Sequence, residues 1–372
     1  MTNHREMALD ILARLGAQPA TSFLEDGVAG VVRAVLDEAG VPHRTDNYGN
    51  IIAHRPGSAA DDSVPPIAFM AHMDHPGFEA VAVDGDFLVG VAMGGIPQSS
   101  FEAGIPLQII LPDGERLSAV TAGPAGDASE RKALISLEDA SRLSEIPLPS
   151  SVVFDLVDYQ LEDGYIRMRA VDDLAGCGST LAMLSALSEE APSGDVYGVF
   201  TRAEEVGLVG ARLLAEAGTL PEETLVVSLE SSRTLPGAEI GSGPVIRVGD
   251  AGFTFNADAE SALNRARETL QARPDGFKVQ RQLMSGGTCE ASAFSVYGYR
   301  TTGIAFPLGN YHNGAPDGGI EAEYIHEEDY LGGVELMLEA VRRMPEREDT
   351  FFRRRLREIP EEFRERMRLD KS

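Results

Sequence analysis

Two histidines and a scattered set of carboxylates carry the chemistry that this sequence offers: His72 with Asp74, Asp172 with Asp173, Glu204 with Glu205, then Glu230 and His312. Imidazoles and carboxylates without a thiolate suit zinc foremost, with cobalt and manganese as alternatives. Five of them, His72, Asp172, Glu205, Glu230 and His312, are too many for one tetrahedral ion that keeps an open position. They suffice for two divalent ions if one carboxylate bridges, and Asp172 is the central candidate. Two ions roughly 3.5–4 Å apart hold a hydroxide between them and polarise a carbonyl, as hydrolysis of an unactivated amide requires. Two acids remain. Asp74, two residues past His72, is expected to accept the other ring N–H and fix its tautomer. Glu204, beside Glu205, is expected to serve as general base and acid. Taken singly, each pair reads as solvated surface; it is their recurrence at strand ends that points to a site.

Apolar runs at 67–71, 166–171, 196–201, 224–229 and 301–306 read as strands, each leading into one of these groups. In an open α/β sheet the crevice beyond the carboxyl ends of the strands is where ligands bind. A strand at 165–171, a helix at about 174–188, a strand at 196–201, a helix at about 207–217 and a strand at 224–229 set an alternating rhythm. Such alternation specifies α/β architecture, a mainly parallel sheet with helices on both faces. Helices are also expected at 5–15 and about 25–39, ahead of paired strands at 41–44 and 50–54 and a polar, Pro-rich loop at 58–66. From 76 to about 165 short alternating runs (78–83, 87–91, 107–111, 116–121) are cut by Asp84-Gly85 and Asp113-Gly114 turns, which reads as a small inserted all-β domain. Later come a Gly-rich strand region at 241–249 and a helix at about 261–273. Ser285-Gly-Gly-Thr-Cys-Glu290 opens a further helix, but it lacks the spacing and Lys of a phosphate loop. A last helix at about 328–344 is stopped by Pro345. The expected organisation is a discontinuous catalytic domain (1–75 and 166–345), the β-rich insertion (76–165) and a charged C-terminal tail (346–372).

A chain of 372 residues with 43% hydrophobic content has enough apolar surface for a large core. Its net charge of −27 argues against nucleic acid and against an anionic membrane surface as partners. With no basic-then-apolar leader and no run near the roughly 20 apolar residues of a span, the sequence reads as cytoplasmic. Two cysteines, Cys177 and Cys289, fit a reducing compartment, and Cys177 in a Gly/Ala helix start reads as a packing residue.

Ala71-His-Met-Asp-His-Pro-Gly77, Val171-Asp-Asp-Leu-Ala-Gly-Cys177, Ala203-Glu-Glu-Val-Gly-Leu-Val-Gly-Ala211, Gly241-Ser-Gly-Pro-Val-Ile246, Gly286-Gly-Thr288 and Tyr311-His312 resemble the co-catalytic metallo-aminopeptidases of the glutamyl/tetrahedral aminopeptidase family. The similarity runs from the turn at 46–50 to about Val341. It implies a zinc-peptidase α/β domain with the β-rich insertion as oligomerisation domain, hence a homo-oligomer acting on peptides. It further implies that His72, Asp172 and Glu230 hold one ion and Asp172, Glu205 and His312 the other, with Glu204 as catalytic base, Asp74 supporting His72, and a cis peptide between Asp172 and Asp173. The chain departs from the family pattern at Leu174 (usually Arg), His75-Pro76 (usually Glu-Ile), Glu230 (commonly Asp) and Cys289-Glu290 (usually Asp-Ala), and its Arg-rich tail is extra. The competing function is that of a dinuclear amidohydrolase on N-acyl amino acids, whose β insertion usually follows the second carboxylate pair rather than preceding Asp172.

Overall fold

The computed structural model describes residues 2–58, 64–187 and 191–369. Most of the expected polar loop (59–63), position 188 of the expected 174–188 helix, and the end of the expected tail (370–372) lie outside the described residues. Two helices open the chain, α1 (Thr2–Gly16) and α2 (Asp26–Glu38). The buried face of α2, Val28, Val32, Val35 and Leu36, has helical spacing. Gly40, at φ +60°, ends it, with Gly40 N–H donating to the Asp37 carbonyl and Val41 N–H to that of Leu36. This is the left-handed stop that glycine accepts without steric cost. Strands β1 (His43–Thr45) and β2 (Ile51–Arg55) pair antiparallel across a turn whose Asp46 carboxylate accepts from Tyr48 and Asn50 N–H. Strand β3 (Ile67–His72) follows, wholly buried.

Six strands then close into a barrel: β4 (Gly77–Asp84), β5 (Phe87–Met93), β6 (Pro106–Ile110), β7 (Arg116–Pro124), β8 (Lys132–Leu137) and β9 (Ser150–Phe154), in the order β4-β5-β8-β7-β6-β9. All six contacts are antiparallel. Alternate residues point inward, and Phe78, Leu88, Leu107, Ile109, Ile135, Val152 and Phe154 fill the interior.

After β10 (Gln160–Glu162) and β11 (Tyr165–Met168) the chain continues through α3 (Leu174–Ala186), β12 (Val196–Thr201), α4 (Val209–Glu216), β13 (Leu225–Arg233), β14 (Val245–Arg247), α5 (Ala257–Gln271), β15 (Gln280–Gln282), α6 (Glu290–Val296), β16 (Arg300–Leu308), β17 (Glu323–His326) and α7 (Glu327–Arg342), ending in α8 (Phe351–Arg357) and α9 (Glu361–Met367). The large sheet is eight-stranded, ordered β1-β2-β12-β3-β13-β16-β14-β15. Its centre, β12-β3-β13-β16, is parallel. At the flanks β2 runs antiparallel to β12 and β14 antiparallel to β16. Period-two alternation divides the buried strands between two helical layers. Ile67, Phe69 and Ala71 pack into a core with residues of α1, α2, α3, α5 and α7, while Ala68 and Met70 meet Ala211, Leu214 and Phe294 of α4 and α6. The fold is thus mixed α/β, a large sheet between helices.

One expected strand is placed elsewhere. The segment leading to Asp172 is not a member of the large sheet: β11 stops at Met168 and pairs antiparallel with β10 and β17 in a separate three-stranded sheet. Its alternating burial, with Tyr165 and Arg167 outward and Ile166 and Met168 inward, is that of a one-sided strand, unlike the continuous apolar run of β3. Residues 169–171 lie outside any strand, with a bend at Arg169. Glu230, too, lies within β13 rather than after it, opposite Ala305 of β16. No described helix is long and apolar enough to cross a membrane.

Candidate active site and metal centre

The end of β3 delivers His72, whose Nδ1 donates to the Asp74 carbonyl oxygen at 2.9 Å. With its proton so placed, Nε2 presents a lone pair to Asp172 Oδ1 at 3.6 Å and Glu204 Oε2 at 4.0 Å. His312, after β16, repeats the device. Its Nδ1 donates to the Gly95 carbonyl at 3.0 Å, leaving Nε2 3.5 Å from Glu205 Oε1 and 3.8 Å from Asp172 Oδ2. Asp172 therefore lies between the imidazoles with one oxygen toward each. Ligand atoms of His72, Asp172 and Glu230 fall within 4.8 Å of one another, and so do those of Asp172, Glu205 and His312. A third overlapping set, His72, Glu204 and Glu205, meets the same limit. All seven residues singled out in the sequence are in this one locus, and the Asp172–Asp173 peptide is cis.

Asp74 accepts the ring N–H of His72 through its backbone, which leaves its carboxylate for other partners. The nearer carboxylate oxygen is 3.6 Å from Nδ1. That carboxylate accepts from Glu204 N–H (2.9 Å), Glu205 N–H (3.2 Å) and the Ser22 hydroxyl (2.6 Å). It is the brace of the Glu204-Glu205 turn. Glu25, fully buried, braces the same turn from the other side, accepting from Arg202, from Ala203 N–H and from Phe23 N–H. Ala203 between them has φ +52°, a left-handed conformation held by these contacts.

Glu323, on β17, is the support that sequence reading missed most completely. Its buried carboxylate accepts from Val171 and Asp172 N–H at 2.8 and 3.0 Å and, through the other oxygen, from His312 N–H at 2.8 Å. One side chain thereby fixes the backbones of two candidate ligands. Gly95 was also missed; a Cβ there would lie 2.8 Å from His312 Nδ1, so the close approach of carbonyl to imidazole requires glycine. No local sequence signal marks either residue.

Burial, reinforced by neighbouring acids, pushes Asp173, Glu204, Glu205 and Glu230 well above the ordinary carboxylate range. Burial pulls His72 down, but the carboxylates of Asp172, Asp74 and Glu204 around it outweigh this and hold it well above the usual imidazole value; a divalent cation on Nε2 would displace that proton. Glu323 is raised to about 8, by burial and then by Asp172. Arg247 is the buried cation nearby, its Nη1 3.9 Å from Glu230 Oε1. Two carboxylate oxygens, Glu230 Oε1 and Asp173 Oδ2, are buried without a hydrogen-bond partner. A crowded acidic pocket with unpaired oxygens and imidazoles presenting their lone pairs fits divalent cations.

Other histidines, the cysteines and the Gly-Gly-Thr stretch sit apart from this chemistry. His75 is buried and satisfied on both nitrogens, accepting from Ala20 N–H and donating to the Pro76 carbonyl. His326 caps α7 by accepting from Glu328 N–H. The Cys177 thiol donates to the His72 carbonyl at 3.1 Å, and burial pushes both cysteines up, away from nucleophilic thiolates. Gly286, Gly287 and Thr288 form an exposed loop before α6.

A sequence model described as M42 glutamyl aminopeptidase matches residues 135–336, over half of the chain. A protein of Acetivibrio thermocellus, named as a candidate aminopeptidase, is 22% identical over 351 residues, which are 90% of this chain and 99% of that one. Two solved structures share the fold. An aminopeptidase from the archaeon Desulfurococcus kamchatkensis has a TM-score of 0.75 at 23% identity, covering 91% of this chain and 95% of the other. The TET1 peptidase of Pyrococcus horikoshii, which can assemble into a tetrahedron or a large octahedral shell, has a TM-score of 0.74 at 24% identity over 90% and 99%. The match spans Asp172, Glu204, Glu205, Glu230 and His312, five of the groups gathered in the acidic pocket, and the chain belongs to the M42 glutamyl aminopeptidase family of peptide-bond hydrolases.

Proposed function

We propose that this protein is a dinuclear metal-dependent aminopeptidase that removes N-terminal residues from peptides. The observation that carries the reading is Asp172, one oxygen toward each imidazole, shared by two complete three-residue ligand sets. His72, Asp172 and Glu230 would hold one ion and Asp172, Glu205 and His312 the other, zinc foremost, with cobalt and manganese as alternatives. When bound, the pair supplies polarisation of the scissile carbonyl and acidification of water. Glu204, half-buried and ordered through its own N–H by Asp74, is free to take a proton from the attacking water and return it to the leaving amine. The surrounding carboxylates favour a substrate whose terminal amine is free and cationic.

Residues 1–75 and 166–345 then form the catalytic unit and 76–165, with the barrel, the oligomerisation unit of a homo-oligomer; the assemblies of the TET1 peptidase support this. Unpaired buried thiols are in keeping with a reducing, cytoplasmic setting. The test is an assay of metal-reconstituted protein on aminoacyl anilides beside their N-acetylated forms. Cleavage of the free-amine set is expected; cleavage of only the acetylated set would assign the protein to the deacylases instead.

A further inference from the structure

The C-terminal arm is the part of the molecule left without a task. It lies beyond the family match, which ends at residue 336. Its root is tied to α5: Phe351 N–H donates to Glu268, Arg353 pairs with Asp258 at 2.7 Å, and Arg265 reaches back to Glu346 at 2.8 Å. From residue 354 onward the ion pairs found among the described residues stay within the arm and its root, as in Arg354–Asp349, Arg357–Glu348 and Arg368–Glu365. Neither α8 nor α9 buries any residue.

Large apolar side chains nevertheless recur along it: Phe352 and Leu356 stand four residues apart on α8, Phe363 and Met367 four apart on α9, and Ile359 lies in the extended link between the two helices. Leu356 is 79% and Met367 80% exposed. Apolar side chains of this kind, left in water along both helices and the link between them, mark a contact surface rather than scattered surface residues.

Charge identifies the occupant. Residues 351–369 hold seven arginines against four glutamates, in a chain whose net charge is −27. The arm is therefore a cationic, apolar segment attached to a strongly anionic body. Pairing arm with arm brings like charges together, and pairing the arm with an anionic lipid surface brings the anionic body toward that surface. Docking on the body of another molecule of the same chain joins opposite signs and covers the apolar side chains. We infer that the C-terminal arm of one protomer docks, through Phe352, Leu356, Ile359, Phe363 and Met367, on the acidic body of a second copy. This contact is separate from any made by the barrel, and it does not rest on the catalytic reading.

Two variants of the full chain test it by light scattering at matched concentration. Phe352→Ser, Leu356→Ser, Phe363→Ser and Met367→Ser together remove these apolar side chains from both helices while keeping every charge; Arg355→Glu with Arg357→Glu reverses charge while keeping them. Because the substituted side chains are exposed, the melting temperature serves as control that the body is folded. The wild type is expected to have at least twice the molar mass of either variant. A photoreactive benzoyl-phenylalanine at position 363 should cross-link the arm to body peptides of another chain. Unchanged molar mass in both variants, a monomeric wild type, or cross-links confined to arm peptides would each overturn the inference. So would wild-type protein that co-sediments with phosphatidylglycerol vesicles in an arm-dependent way while its molar mass matches that of the variants.

Discussion

Adjacent side chains Glu204 and Glu205 can take the different roles proposed for them because their common turn is held by backbone contacts, which leaves both carboxylates free. Asp74 accepts from the N–H of each, so neither side chain is needed to shape the turn. Replacing Glu204 by Gln preserves shape and removes the proton acceptor. With both ions retained, kcat is expected to fall by about 10²–10⁴-fold with little change in substrate affinity. Glu205→Gln removes a candidate ligand instead. Its loss of activity should come with weakened binding of one ion in elemental analysis and partial rescue by excess metal. Near-normal kcat for Glu204→Gln would defeat its assignment as base. At this scale the sequence displayed the groups that gather in the acidic pocket and concealed those that hold them. Acids and histidines at chain segments following apolar runs are visible in one dimension. The three donors to Glu323, at positions 171, 172 and 312, meet only through the tertiary fold, and so do Ser22, Glu204 and Glu205 around Asp74.

Elements were legible in proportion to how strongly burial constrained them. Strand β3 and strand β12, buried along nearly their whole length, are readable as unbroken apolar runs, and residues 196–201 coincide with the observed strand. Strand β11 carried its own warning, since Tyr165-Ile-Arg-Met alternates as a one-sided strand does, yet Ala170 and Val171 extended the apolar run past its end. The connection from β3 to β4 shows how a polar residue can be built into such a core. His75 is kept neutral by Ala20 N–H on one nitrogen and the Pro76 carbonyl on the other, and burial with the nearby Arg169 charge lowers it to about 3. Its folded value lies below the unfolded one, about 6.5. The unfolded chain therefore binds the proton first, so stability present at neutral pH is lost as pH falls from about 6.5 toward about 3. By pH 5 this amounts to about 2 kcal/mol. His75→Gln, which can accept and donate along similar directions, is expected to flatten that part of the acid limb in urea melts at pH 5 and pH 7. An unchanged difference between the two pH values would show that His75 does not govern it.

Across the whole molecule, the barrel is joined to the site and does not merely hang from it. Gly95, just past β5, supplies the carbonyl that orients His312, and Arg131 from the β7–β8 connection grips the adjacent Gly94 carbonyl at 2.7 Å. Thr21 and Ser151 meet through their hydroxyls at 3.0 Å on the other side. The barrel also exposes Val81 and Val83 on β4, apolar surface suited to contact with another subunit. Two functions, assembly and support of His312, would then share one unit, and excising it would confound them. Gly95→Ala separates them, because a Cβ at that position would sit 2.8 Å from His312 Nδ1, far inside contact distance, and would displace the imidazole without touching the outer barrel surface. Such a variant should keep the molar mass of the wild type in light scattering while binding of one of the two ions weakens in a chelator competition. Val81→Lys with Val83→Lys should do the reverse, lowering molar mass and leaving the stoichiometry of two ions per chain intact. If Gly95→Ala retained full affinity for both ions, the carbonyl of Gly95 would not be what sets His312. If the lysine pair left molar mass unchanged, the exposed face of β4 would not be an assembly surface.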